Sequence, residues 1–367
     1  MSESQPRPAW HNSPMMKAAR REPVEQVPIW LMRQAGRYMA EYREVRAKLS
    51  FLELCKRPDL CAEVMLTAVE RLGVDAAIIF SDLLVLLEPL GLEVEFTAGE
   101  GPVVPNAVRE PSDVDRVREL EDLASLEYVM ETVRQTRAGL DERLPLIGFA
   151  GAPFTLAAYV VGGGTGRNLQ AAKSLMFRDA GAFGALLGRF ARAVARYLNA
   201  QIDAGAQLVQ LFDSWVGWLG VDDYRQHVLP HVRAAIRAIR PGVPVIHFAT
   251  GNPALLPLLA EAGGDVIGVD WRVPLDEAWR AVGHDRAIQG NLDPYVLLGP
   301  VPEIRRRTAE ILDRAAGRPG HIFNLGHGVL PDTPVENAVA LVEAVHELSR
   351  QRGGSRSQRP SSRGVAD

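Results

Sequence analysis

Eight short apolar runs punctuate this chain, and each stops on polar or charged residues: 28–32, 75–82, 144–150, 206–212, 243–249, 265–269, 286–289 and 321–325. Runs of this length, bounded by turn residues, read as buried strands. Between most of them the period changes. Tyr42, Val45 and Leu49 recur at helical spacing within 38–49, and helical patterns fill 59–72, 180–204, 223–240 and 302–316. Strands that alternate with helices argue for a parallel sheet, and eight such units predict a closed (β/α)8 TIM barrel. An open doubly wound sheet fits less well, because no glycine-rich dinucleotide turn follows the first run. Residues 93–122 lack a strong period and are expected to form an inserted loop or hairpin. Residues 1–13 read as disordered, with Ser13 capping a helix whose first residue is Pro14. The barrel is expected to occupy 14–349, and the Ser-, Arg- and Gly-rich segment 350–367 reads as a disordered tail.

Composition narrows the function classes. Hydrophobic residues make up 47% of the 367 and charged residues 23%, an ordinary globular balance. A net charge of -4 argues against a nucleic-acid partner, which would draw on a basic surface. No run is long enough for a membrane span, and the first residues lack the apolar core of a signal peptide. With only Cys55 and Cys61 as thiols, this favours a reducing, cytoplasmic setting and free cysteines.

The first run delivers chemistry. It ends at Arg33, and Arg37 follows four residues later with Gly36 between them. Arginine offers a rigid planar fork of donors that matches carboxylates two at a time. The pair therefore reads either as an anchor for a polyanionic substrate or as the solvated edge of a loop. In a barrel the strand ends converge on one mouth, which would bring Asp82, Ser214 and His327 to the same place as the arginines. Asp82 alone reads equally as a helix cap ahead of Leu83. Arg46, on the helix predicted after the arginines, would add a further positive group.

Other features carry less. His227 and His231 stand four apart on a predicted helix, without the glutamate that a zinc protease places after the first histidine. Gly162, Gly163 and Gly164, followed by Thr165 and Gly166, lack the ending of a phosphate-binding loop and read as a flexible connection. Cys55 and Cys61 sit on or near helices with no partner pattern. No metal ligand set is expected.

Five segments in order give a specific resemblance: PIWLMRQAGRYMAEY at 28–42, IIFSDL at 78–83, GFAGAPFTL at 148–156, QLFDSW at 210–215 and FNLGHGVLPDTP at 323–334. Together they resemble the uroporphyrinogen decarboxylases. The resemblance implies a cytoplasmic, homodimeric (β/α)8 barrel of haem biosynthesis. It would convert the four acetate side chains of uroporphyrinogen III to methyl groups, without a cofactor, and release coproporphyrinogen III and CO2. It further implies that Arg33, Gln34, Ala35, Gly36 and Arg37, with Arg46, Asp82, Tyr159, Ser214 and His327, line the substrate cleft. Asp82, Arg33, Arg37, Tyr159 and His327 carry the catalytic expectation.

These residue types suit that chemistry. Protonation of a pyrrole ring carbon makes the ring its own electron sink, so the protein must stabilise a cation while holding many carboxylates. Asp82 suits the first task and the arginines the second. Tyr159 and Ser214 are neutral hydrogen-bonders. His327, between two glycines, would bind a carboxylate as imidazolium or shuttle a proton. Two other readings stay open at this point: a zinc- and corrinoid-dependent methyltransferase of the same superfamily, and a non-catalytic tetrapyrrole carrier.

Overall fold

The computed structural model describes residues 7–97, 101–164 and 169–357. Its central sheet has seven parallel strands: β1 (Ala77–Ile78), β4 (Leu146–Gly151), β5 (Leu208–Asp213), β6 (Val245–Ala249), β7 (Val266–Gly268), β8 (Ala287–Gln289) and β9 (His321–Ile322), paired in that order. A separate antiparallel hairpin, β2 (Glu95–Thr97) and β3 (Gly101–Val103), lies in the expected insertion; its tip, 98–100, is outside the described residues.

The first run, 28–32, closes the barrel without forming a full strand. Ile29 pairs with Phe323 beyond β9 through a single parallel bridge, and its carbonyl accepts Asp75 N–H at 2.8 Å ahead of β1. The segment thus spans the gap between the two sheet edges. It lacks a regular ladder because its donors are used otherwise. Pro28 has none, Ile29 N–H goes to Asp75 Oδ2 at 2.8 Å, Leu31 N–H to Gln34 Oε1 at 3.1 Å and Met32 N–H to Asn324 Oδ1 at 3.1 Å. Inside the barrel, Trp30 Nε1 donates to Gln289 Oε1 at 2.9 Å, and Gln289 Nε2 donates to Gln210 Oε1 at 3.0 Å. This chain crosses from the closing segment through β8 to β5, which are not neighbours in the sheet, so the three side chains meet in the interior. Above them Phe149, Phe212 and Phe248 of β4, β5 and β6 pack edge to face, with centroids 5.5 and 5.8 Å apart.

The helices depart from expectation where proline and capping intervene. The run predicted over 223–240 is broken into Val221–Asp223, a wide π turn Tyr224–Val228 and Leu229–Arg237. Pro230 lacks the N–H that a continuous ladder needs there. The helix expected over 38–49 is shorter, Ala40–Arg46, because Ser50 caps the next helix, Phe51–Cys55. Ser13 Oγ accepts Met16 N–H at 3.3 Å and caps Pro14–Ala19 as read from the sequence. The reading of 1–13 as disordered is corrected in part: Ala9–Asn12 forms a 3-10 turn, and residues 1–6 lie outside the described residues. The tail boundary moves as well. The last helix, Val335–Ser357, runs through the first residues of the expected tail, and 358–367 are outside the described residues. No described helix is long and apolar enough to cross a membrane.

Candidate active site

Arg33 stands where the closing segment leaves the barrel. Its backbone is left-handed, φ 64°, and Gln34 N–H donates to Leu31 O at 2.9 Å, so the chain turns sharply at the mouth. A β-carbon on Gly36 would lie 2.8 Å from Arg33 O, which is why glycine separates the two arginines. Gly328, on the loop after β9, has the same role toward the Arg33 side chain. A β-carbon there would fall 2.4 Å from Arg33 Cδ. The RQAGR and GHG segments, almost 300 positions apart in sequence, are thus shaped to each other.

Neither Arg33 nor Arg37 has a carboxylate in ion-pair contact among the described residues. Partial desolvation and the like charge of Arg37 pull the Arg33 pKa down, opposed by Tyr159, Asp82 and Tyr42. The guanidinium remains a cation at any working pH. Asp82 is half-buried, and desolvation raises its carboxyl to about 6, against the lowering effects of the Leu84 N–H and of Arg33. Its Oδ1 accepts Leu84 N–H at 2.8 Å in a local turn, but the next helix, Val85–Leu90, has Leu84 at its N-cap with no side-chain cap bond, so the capping reading is corrected. One oxygen is held by the turn, and the carboxylate lies in the field of Arg33.

Tyr159 lies on the helix Pro153–Gly162, half-buried and edge to face with Trp215 at 6.0 Å. Burial raises its pKa, and the fields of Asp82 and Arg33 both reach it. Ser214 follows the end of β5, where its carbonyl accepts the Thr250 hydroxyl at 2.8 Å. His327 Nδ1 accepts Gly328 N–H at 2.8 Å, so in the neutral ring Nε2 carries the proton. Burial, Arg33 and Arg272 lower its pKa to about 4, partly opposed by Asp270. These effects favour the neutral ring in the free protein, with Nε2 as its one donor, over the imidazolium. Arg46 approaches from the side, hydrogen-bonded to Leu49 O and 5.7 Å over the Phe51 ring, close enough to Tyr42 to act on its hydroxyl.

Two of the expected lining residues do not face the mouth. Gln34 is fully buried: its Oε1 accepts Leu31 N–H at 3.1 Å and its Nε2 donates to Ala76 O at 3.2 Å. The side chain braces the turn that presents Arg33, and Ala35 is buried beside it. The sequence reading placed them in the cleft because it assigned the loop as a block.

The other candidates fall into structural roles. Gly163, left-handed with φ 78°, ends the helix Pro153–Gly162, so the glycine run begins as a cap; Thr165 and Gly166 lie outside the described residues. His231 packs against the outer helix Ala180–Ala204 at Gly184 and Gly188. Cys55 and Cys61 are buried, and Cys61 Sγ donates to Leu54 O at 3.0 Å. Among the described residues no three His, Cys, Asp or Glu side chains converge as a metal site. The sequence reading assigned no role to Phe212, half-buried and edge to face with Phe149 and Phe248, or to Asp270 and Arg272. Strand alternation could have identified Phe212, since Gln210, Phe212 and Ser214 share one face.

The comparisons follow from this geometry. The family model for uroporphyrinogen decarboxylase (URO-D) matches residues 10–348. A uroporphyrinogen decarboxylase of Sorangium cellulosum is 54% identical over 336 residues, 91% of this chain and 96% of that protein. One of Carboxydothermus hydrogenoformans is 54% identical over 339 residues, 92% of this chain and 97% of that protein. Among solved structures, a methyltransferase from Methanosarcina mazei superposes with a TM-score of 0.77 at 22% identity, covering 93% of this chain and 98% of that one. At that identity the likeness speaks for the barrel alone. The chain belongs to the uroporphyrinogen decarboxylase family.

Proposed function

We propose that the protein decarboxylates the four acetate side chains of uroporphyrinogen III to give coproporphyrinogen III and CO2, using its own side chains and no cofactor. The observation that carries the reading is the pairing of a half-buried carboxylate, Asp82, with two guanidiniums that have no carboxylate partner among the described residues, Arg33 and Arg37, at a barrel whose strands carry edge-to-face phenylalanines. A polyanionic ring with an apolar body needs such an arrangement.

The steps balance as follows. Protonation of a pyrrole ring carbon places positive charge on the ring nitrogen. The bond between the acetate methylene and its carboxylate then breaks, its electrons neutralise the ring cation and CO2 departs. A second proton adds to the exocyclic carbon, the ring carbon loses the first, and a methyl group remains. Each acetate thus consumes one proton net. Asp82 stabilises the ring cation by accepting pyrrole N–H groups in a partly desolvated setting, where fixed charge acts strongly. Arg33 and Arg37 hold carboxylates of the rim, Tyr159 and Ser214 add neutral hydrogen bonds, and His327 Nε2–H adds a neutral donor. Arginine is too weak an acid to give the protons, so we assign them to water or a substrate carboxyl.

The same reading takes the protein as a homodimer of the cytoplasm, in which facing clefts shield a broad ligand; sedimentation as a monomer would remove the dimer. The test of the activity is direct. Purified protein supplied with uroporphyrinogen III under reducing conditions, with no added metal or cofactor, is expected to accumulate coproporphyrinogen. No product after chelation, with activity restored by zinc or cobalamin, would overturn the reading in favour of methyl transfer. Ligand binding without turnover would favour a carrier.

A further inference from the structure

A third guanidinium stands at the mouth, on the loop after β7. Asp270 is almost fully buried there and is held by backbone. Its Oδ2 accepts Gly251 N–H at 2.7 Å, its Oδ1 accepts Arg272 N–H at 2.9 Å, and its carbonyl accepts Asn291 Nδ2 at 2.8 Å. Asn291 also donates to Val273 O at 2.7 Å, so the 270–273 turn is fixed at both ends. Arg272 points back over this turn: its guanidinium contacts Asp270 Oδ2 and lies 4.2 Å from the centroid of the Trp271 ring. The side chain nevertheless stays 46% exposed. One carboxylate oxygen and an aromatic face hold the group in place, and most of its five donors have no partner among the described residues.

The turn is also fitted to the His327 loop. A β-carbon on Gly326 would lie 2.5 Å from Trp271 N and 2.8 Å from Trp271 Cε3, so glycine is needed where the two loops meet. Gly326 therefore receives Trp271 on one side of His327, as Gly328 receives Arg33 on the other. His327 stands between the two guanidiniums and feels both. An arginine held rigidly by a buried acid at an open mouth is preorganised, which lowers the entropy lost when it takes a ligand.

We propose that Arg272 is a further substrate-binding residue, which takes a carboxylate of the polyanionic ring on the side of His327 opposite Arg33. This rests on the proposed decarboxylase reading for the identity of the ligand. Asp270 and Trp271 act through Arg272, as positioning residues.

The test uses the full-length protein and two measurements. The first is calorimetric titration with coproporphyrin, the oxidised four-carboxylate ring, which cannot react. The second is turnover of uroporphyrinogen III. R272Q is expected to weaken coproporphyrin binding about tenfold, the scale of one charge-assisted hydrogen bond at a partly exposed site. KM should rise by a similar factor with kcat changed less than about twofold, since the contact is made equally in the ground and transition states. R272K, which keeps the charge but loses the fork, should recover part of the binding, and both variants should melt with the wild type. Binding by R272Q within about twofold of wild type would overturn the proposal and leave Arg272 as the partner of Asp270 alone. If R272Q fails to fold, R272K decides: unchanged coproporphyrin affinity and KM overturn the proposal, and a partial loss supports it. Wild-type protein that binds coproporphyrin but makes no product overturns the decarboxylase reading, while the calorimetric comparison still decides the role of Arg272.

Discussion

Asp82 and Asp213 occupy comparable places and face opposite worlds. Each stands at or just beyond the carboxyl end of a barrel strand, and burial raises the pKa of each, to about 6 for Asp82 and about 7 for Asp213. Asp82 feels Arg33 and is open to the mouth. Asp213 lies on the other face of β5 from Gln210 and Phe212, under the helices. There its Oδ1 accepts the Thr155 hydroxyl at 2.9 Å and its Oδ2 is buried with no hydrogen-bond partner among the described residues. The contrast teaches that a shifted carboxyl at a barrel strand end is not by itself a catalytic group. The face of the strand decides, and the Thr155 contact ties β5 to the helix that carries Tyr159.

The largest expected effect tests that contrast on rate. D82N should lower kcat by roughly two to three orders of magnitude, about 2.7 to 4 kcal/mol of transition-state stabilisation. D213N should stay within a few-fold of wild type in the same assay. The pH profile sharpens the same point. Catalysis needs the Asp82 carboxylate, so kcat/KM should fall as pH drops through about 6, and this limb should survive in D213N. Equal losses in the two variants would break the distinction between the faces.

Stability should reverse the order. Burial raises both carboxyls above the ordinary aspartate value of 3.8, so the folded state binds protons more tightly than the unfolded one. Their contribution is therefore fully present below about pH 4 and is lost as pH rises to about 7. At pH 8 the buried Asp213 carboxylate carries an unpartnered oxygen, and D213N should raise stability there by on the order of 3 kcal/mol, with little gain at pH 4. Chemical denaturation at the two pH values reads the difference. A variant equally stabilised at both would mean that the charge of Asp213 is not what costs stability.

Much of this architecture was legible from periodicity, because strands buried on both faces must be apolar to their ends and parallel strands need helical crossovers. The run 28–32 announced a strand, yet it makes one bridge, since its donors go to Asp75, Gln34 and Asn324, residues 46, 3 and 292 positions away. No local pattern encodes such partners. The arginines and Asp82 could be located from the sequence because they sit at strand ends. Gln34 was placed in the cleft because the RQAGR segment was assigned as a block, and only the fold shows its side chain turned inward to Leu31 and Ala76. Arg272 escaped notice because its meaning comes from the His327 loop beside it, which only the closed barrel brings near.

Gln34 supplies the next test of presentation against contact. Q34A would leave Leu31 N–H and Ala76 O without their side-chain partner inside the protein, costing about 2 kcal/mol in denaturant unfolding. KM should rise as Arg33 loses its fixed turn. A rise in KM with unchanged stability would instead mean that Gln34 touches the substrate.

The smallest effect is expected at His327, which differs from both aspartates because burial and two arginines push its pKa down, to about 4. Both effects favour the neutral ring in the free protein, with Nε2 as its donor, so His327 can offer a hydrogen bond without carrying charge. H327Q keeps a neutral donor and should lower kcat/KM by only about threefold to tenfold, the worth of a neutral hydrogen bond. The fall in rate through about pH 6 should stay where it is, because that limb belongs to Asp82. A limb that disappears in H327Q and persists in D82N would transfer the titrating role to the histidine, and the carboxylate at the mouth would then resemble Asp213 more than its position implies.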